Sequence, residues 1–166
     1  TIGVAGIATF RTGRIDVGDA VKNTSIGKNA GDAYTTGNSN IAVGYNALTE
    51  TTTGEDNVAV GAYTLDANTT GSYISAVGYN ALSANTTGIS NDAFGYYALN
   101  QNTTGQYNTA LGARALQSNT TANNNVAVGR DSLRLNSTGQ YNVAIGAYTL
   151  DANTTTDNNT ACGYAA

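Results

Sequence analysis

Any chemistry in this chain has to come from eleven carboxylates, one cysteine and a periodic set of Asn-x-Ser/Thr triplets, because the sequence contains no histidine. Acid–base or nucleophilic catalysis needs a base beside a nucleophile, or a carboxylate pair, held at one place. Without histidine the usual serine or cysteine triad is excluded. The carboxylates are scattered among different positions of a repeat. Asp66 and Asp151 sit in identical Gly-Ala-Tyr-Thr-Leu-Asp-Ala-Asn-Thr-Thr stretches, which points to duplication before it points to a site. A calcium-binding β-roll would carry an aspartate in every turn with glycine-rich spacing, and this chain does not. The expectation is a protein that is not an enzyme, with no catalytic, cofactor-binding or metal-ligating residues and no cofactor. Cys162 stands where other copies hold Val, Ile, Phe or Leu, and is read as a small buried apolar residue in preference to a reactive thiol.

Two recurrent groups could act at a surface. Asn-x-Ser/Thr triplets begin at Asn23, Asn68, Asn85, Asn102, Asn119, Asn136 and Asn153. Glycans on successive turns of a stacked structure would be only about 5 Å apart, so a ladder of stacked amides is the first reading. Asp66 and Asp151, two places before their asparagines, fit an extended bacterial acceptor pattern and make Asn68 and Asn153 the candidate glycosylation sites. The second group is tyrosine, eleven residues, concentrated just after a recurring glycine at Tyr45, Tyr63, Tyr79, Tyr96, Tyr97, Tyr148 and Tyr164. Tyr73, Tyr107 and Tyr141 add a second spacing. Exposed tyrosines offer rigid amphipathic contact area for sugars, other fibres or a cell surface, or for packing between chains.

The elements that position these residues follow from one periodicity. A 17-residue unit runs from Asn23 to Asn158 without insertion or deletion, eight times, and a ninth copy reaches Ala166. Its marker glycines are Gly27, Gly44, Gly61, Gly78, Gly95, Gly112, Gly129, Gly146 and Gly163. A short fixed period without drift is the signature of a solenoid. The unit reads Asn, variable, Ala, apolar, Gly, two variable, Ala or Thr, Leu, two variable, Asn, Thr, Thr, Gly, two variable. β-branched residues beside Gly and Asn, with no helical period, predict two short strands and two turns per coil, with Gly37, Gly54, Gly71, Gly88, Gly105 and Gly139 permitting a positive-φ turn. The fold class expected is all-β, a parallel β-roll or β-solenoid of eight 17-residue coils plus a partial ninth, left-handed and oligomeric, a rod of roughly 40 Å.

Side chains alternate along a strand, so the fourth column points opposite to its flanking Ala and Gly. With Ala and Gly inward the coil is tight, and Val43, Val60, Val77, Phe94, Leu111, Val128, Ile145 and Cys162 form an outward apolar stripe that needs covering by other chains. In the opposite orientation that stripe and the leucines Leu48, Leu65, Leu82, Leu99, Leu116, Leu133 and Leu150 fill the coil. The small size of Ala and Gly favours the first. Asn opens every unit but the one at Ile74, and stacked amides can bond from coil to coil. The Thr36, Thr53, Thr70, Thr87, Thr104, Thr121, Thr138 and Thr155 column offers another ladder. Adjacent threonines on a strand point to opposite faces, so Thr69 and Thr70 are not expected to form the flat two-column array of an ice-ordering surface.

Only 11% of residues are charged, and Pro, Met and Trp are absent along with His. The apolar supply is mostly alanine, which suits a thin stack better than a thick core. Four basic and two acidic residues up to Lys28 are followed by three basic and nine acidic, so no basic track for nucleic acid runs along the stack. No apolar run is long enough to span a membrane and no signal peptide is recognised, so membrane insertion is not expected; the start at Thr1 without Met suggests processing or trimming, and export is inferred. Residues 1–22 break the period and are read as a first segment, either a cap or a strand docking on a neighbouring subunit through Ile2, Val4, Ile7 and Phe10; residues 23–166 form the repeat solenoid.

The Asn-Val-Ala-Val-Gly and Asn-Val-Ala-Ile-Gly elements at Asn57, Asn125 and Asn142 resemble the head repeats of YadA-like trimeric autotransporter adhesins. The longer Gly-Tyr-Asn-Ala-Leu and Asn-Thr-Thr-Gly form resembles repeats of phage tail fibres and bacterial surface proteins. The resemblance covers Asn23 to Ala166 and implies a left-handed parallel β-roll, three chains around one axis, and attachment to surfaces. The coils here are longer than that family's, and no coiled-coil stalk or membrane anchor is recognisable. The expectation is a structural or adhesive extracellular or cell-surface fibre subunit, its partner another copy of itself, as a trimer or end-to-end filament, with surface glycans as further partners. The alternative is a glycan-recognising, receptor-binding module of a phage tail fibre, located on a virion.

Overall fold

Every copy of the Ala-apolar pair lies in a three-residue strand that pairs in parallel with the equivalent strand one coil on. The computed structural model describes residues 22–166. The nine strands are β1 (Thr24–Ile26), β2 (Ile41–Val43), β3 (Val58–Val60), β4 (Ser75–Val77), β5 (Asp92–Phe94), β6 (Thr109–Leu111), β7 (Val126–Val128), β8 (Val143–Ile145) and β9 (Thr160–Cys162). They form one sheet in sequence order, with alanine on alanine throughout β2 to β9, as in Ala59↔Ala76 and Ala110↔Ala127. The protein is a parallel β-solenoid with no helix among the described residues. Eight steps of about 4.8 Å make a rod of about 40 Å. The docking segment with Ile2, Val4, Ile7 and Phe10 lies outside the described residues, apart from Lys22 at its end.

Each coil has one strand where two were expected. In the Thr-Thr segment two successive N–H groups converge on a single carbonyl of the next coil: Thr52 at 3.0 Å and Thr53 at 3.3 Å both donate to the Thr69 oxygen. A carbonyl shared in this way bends the chain and cannot propagate a ladder. The two threonines therefore do not point to opposite faces of a strand. In the coils between Thr52 and Thr138 the first of the pair is half-buried and the second exposed. The hydroxyl ladder runs through the first column and not the second, with Thr69, Thr86 and Thr103 donating to the carbonyl one coil on at 3.0–3.1 Å.

Positive φ also falls elsewhere than expected. The Gly37 column does not adopt it; Gly there gives room, since a Cβ on Gly37 would lie 2.6 Å from the Gly54 carbonyl oxygen. The turns are made by the marker glycines, such as Gly112 at φ +139, and by residues with side chains, including the entire leucine column, with Leu99 at +50. A left-handed conformation costs a non-glycine residue about 1–2 kcal/mol. Burying a leucine contributes about 1.5–3 kcal/mol, so burial offsets the strain. Leu48 to Leu133 are fully buried and Leu150 packs against the same core.

The interior combines the two orientations weighed from sequence. The strand alanines, from Ala42 to Ala144, are fully buried, and the fourth column points outward. The leucines nevertheless fill the coil, because they lie on the turn opposite the strand and not on it. Cys162 shares the outward column and is exposed, not buried.

Two asparagine ladders hold coil to coil. In the first, Oδ1 accepts the backbone N–H one coil on, as Asn40 does from Asn57 at 3.0 Å, while Nδ2 donates to a turn carbonyl, Gly54 at 2.9 Å. In the second the amides bond directly: Asn85 to Asn68, Asn102 to Asn85 and Asn119 to Asn102, at 2.8–2.9 Å. A buried amide must find partners for both its ends, and a column of identical ones supplies them.

Candidate functional site

The tyrosines that follow the marker glycine gather on one corner of the rod. From Gly44 on, the two positions after each marker glycine are Tyr45-Asn46, Ala62-Tyr63, Tyr79-Asn80, Tyr96-Tyr97, Ala113-Arg114, Arg130-Asp131, Ala147-Tyr148 and Tyr164-Ala165, and only Tyr96-Tyr97 carries two rings. The large side chain switches between two adjacent columns, so rings from coils about 4.8 Å apart need not occupy the same line. Tyr45 meets Tyr63 edge-on at 5.2 Å, Tyr63 meets Tyr79 at 6.0 Å, and Tyr79 stacks on Tyr96 at 5.8 Å with Tyr97 alongside. These separations lie in the favourable range for aromatic pairs. Tyr148 and Tyr164 form a further pair at 5.8 Å. Tyr45, Tyr79 and Tyr96 are exposed; Tyr63, Tyr97 and Tyr148 are half-buried. Desolvation, with the neighbouring Tyr45 adding to it, raises the Tyr63 phenol above its ordinary 10.0.

Between the two tyrosine groups lies a feature that a residue-by-residue reading missed. The carboxylate of Asp131 is buried and meets Arg114 at 2.8 Å, Arg134 at 3.6 Å and Arg130 at 3.9 Å. These are all the arginines among the described residues. The Arg130 guanidinium lies over the Tyr148 ring, 4.8 Å from its centre, a cation–π arrangement. The hydrogen bond from Arg114 to Asp131 raises the Arg114 pKa further. The sequence signal was available: Arg114 and Asp131 are one repeat apart, in the position where the other coils have Asn, Tyr or, in the last, Ala165.

The candidate assembly residues form a separate outward band. Phe94, Leu111 and Ile145 are 39%, 49% and 44% exposed, Val60 is also exposed, and Val43, Val77 and Val128 are half-buried. The other outward strand position adds Ile41, Val58, Val126 and Val143, interrupted by Ser75, Asp92 and Thr109 in three successive coils. Tyr73, Tyr107 and Tyr141, each two residues before a strand, are all more than half exposed.

The sequon asparagines belong to the second ladder. Asn68 is fully buried, with Nδ2 donating to the Gly71 carbonyl at 3.1 Å, so a glycan on that nitrogen would require the amide to leave the coil. Asn153 is half-buried and donates to Asn136 and to the Thr156 carbonyl. Asp66 and Asp151 occupy the same column five coils apart, about 24 Å. That exceeds the ~5–10 Å at which two carboxylates share a reaction.

Comparison with protein-family models, with curated proteins and with solved structures found no match. What stands is a β-solenoid repeat protein of 17-residue coils with asparagine ladders.

Proposed function

We propose that this chain is a non-catalytic structural and adhesive rod, an extracellular or cell-surface fibre subunit that assembles with copies of itself. The observation that carries this reading is the outward apolar band, which runs the length of the sheet with no covering element among the described residues. Its footprint, about 40 Å by about 10 Å, is near 400 Å². A patch of about 400 Å² is within the range of the largest apolar patch on a monomer, which is often functional. It falls short of the ~800 Å² per partner of a standard interface, so the flanking Tyr73, Tyr107 and Tyr141 are assigned to the same contact. The rigidity comes from the amide ladders, which fix each coil on the next. The resemblance to adhesin heads supports a trimer.

A second reading, a receptor-binding module of a phage tail fibre, is favoured by one observation, the tyrosine and arginine corner. Electron microscopy of the purified chain with mass from light scattering separates the two. Trimers or filaments are expected for the fibre subunit. A monomer at micromolar concentration would overturn self-assembly and leave the receptor-binding reading.

A further inference from the structure

The corner between Tyr96 and Tyr148 has the composition of a recognition site for a negatively charged linear polymer. Beyond Lys28 the chain carries nine acidic and three basic residues, yet its three cations converge on one point. The charges are also layered. The side chain of Asp131 is 1% exposed, whereas those of Arg114, Arg130 and Arg134 are 46%, 58% and 36% exposed. The carboxylate is thus hidden beneath the guanidinium groups it organises, and the solvent meets the cations. One buried carboxylate cannot neutralise three guanidiniums. Asp151, one coil beyond Arg134 in the same column, is the next acidic group by register and still leaves a local excess of positive charge.

Ion pairing for stability alone would call for one partner; removing a charge from water costs several kcal/mol unless it is paired, and Arg114 at 2.8 Å already supplies that pairing. Arg130 contributes only a 3.9 Å contact, through Nε, and its guanidinium carbon lies over the Tyr148 ring at 4.8 Å from the centre. Contact through Nε leaves the terminal N–H groups for a bidentate carboxylate or sulfate. Tyrosines flank the cations along the rod axis on both sides, and tyrosine faces suit pyranose rings. The step between coils, about 4.8 Å, is comparable to the advance of an extended polysaccharide by one sugar.

We propose that Tyr96, Tyr97, Arg114, Arg130 and Tyr148 bind an acidic polysaccharide, with its carboxylate or sulfate groups on the two arginines and its sugar rings against the tyrosines. This rests on the adhesive part of the function proposed above. Nucleic acid is disfavoured because the cations form one cluster and not a track.

The test is fluorescence polarisation of the full chain with labelled oligogalacturonate, chondroitin sulfate oligosaccharide, a neutral cello-oligosaccharide and polyglutamate. Either acidic sugar is expected to bind at least about tenfold more tightly than the neutral one, and to weaken between about 50 mM and 500 mM salt. Oligogalacturonate binding at least as tightly shows that carboxylate suffices; tighter binding of chondroitin sulfate, which carries glucuronate carboxylates as well, shows that sulfate adds to the contact. Arg130→Gln is expected to reduce that affinity about tenfold at unchanged melting temperature. The paired variant Arg114→Gln with Asp131→Asn, which leaves no lone buried charge, should do the same. Equal binding of acidic and neutral sugars, undiminished binding by Arg130→Gln, or equal binding of polyglutamate would overturn the proposal. Light scattering on the same samples reports assembly independently, so loss of sugar binding in an assembled rod is distinguished from failure of the rod itself.

Discussion

Asn108 donates twice to Oδ1 of Asn91, from its backbone N–H at 3.0 Å and from Nδ2 at 3.2 Å, and its own Oδ1 accepts the backbone N–H of Asn125 at 3.0 Å. Its Nδ2 also donates to the Ala122 carbonyl at 2.8 Å. One buried amide therefore joins three coils. Replacing it by leucine keeps much of the volume but leaves the buried Asn125 N–H unmatched, at a cost of about 1–3 kcal/mol, while the Ala122 carbonyl keeps the Asn119 amide at 3.1 Å. Asn108→Leu is expected to lower stability by about 1–3 kcal/mol in urea unfolding. A loss under about 1 kcal/mol would mean that water replaces the amide at little cost.

Gly112 lies at a close approach between coils that the other marker glycines share. It has φ +139, and a Cβ placed there would lie 2.5 Å from the carbonyl oxygen of Gly129. No rotamer adjustment relieves a clash with backbone. Gly112→Ala should destabilise by more than about 3 kcal/mol, or prevent folding, as read by circular dichroism. Gly105→Ala isolates the φ contribution: a Cβ there would meet the Ala122 carbonyl oxygen at least as closely, but Gly105 needs no positive φ, and alanine occurs in the same column at Ala122. It should fold, with a smaller loss.

The exposed fourth column separates assembly from folding. Leu111→Asp puts a charge on a side chain that is about half exposed, so the coil has no need to bury it. The expected outcome is a folded β-rich chain that no longer self-associates, measured by circular dichroism and light scattering on one sample. Global unfolding would show that the column is required inside each coil. Unchanged mass would remove the band from the assembly surface.

Asp66 gives the rod a pH dependence of known sign. Its Oδ1 is buried without a hydrogen-bond partner. Burial, with Glu50 adding to it, pushes its carboxyl above the ordinary 3.8, against the backbone N–H groups of Asp66 and Ala67, which lower it. The folded chain therefore holds this proton more tightly than the unfolded one. Stability falls as pH rises from about 4 through the raised folded value, and the penalty is complete above it. Asp66→Asn should melt higher than the parent at about pH 7, with the gap closing toward about pH 3. A constant gap across that range would assign the effect to something other than ionisation.

How much of this was legible in the sequence depends on the range of the interaction. The undrifting 17-residue period fixed the stacking, the parallel register and which residues share a column, because identical units can bury a common face only by repeating one geometry. The asparagine columns followed for the same reason, since a buried amide one period from its copy has a partner in reach. The second strand did not follow. Thr52 and Thr53 have strand propensity, but a carbonyl one coil away captures both N–H groups and bends the chain. Nor did the place of the leucines, which adopt the left-handed conformation that their type disfavours because the interior opposite the alanine strand has to be filled. The arginine cluster is the same lesson at the candidate site: Arg114 and Asp131 are one period apart in sequence, but their 2.8 Å contact, the burial of the carboxylate and the seat of Arg130 on Tyr148 exist only once the coils are stacked. Periodicity decides which residues are neighbours along the rod. Only the three-dimensional packing of each coil decides which of them face inward, because that depends on the volume the turn encloses.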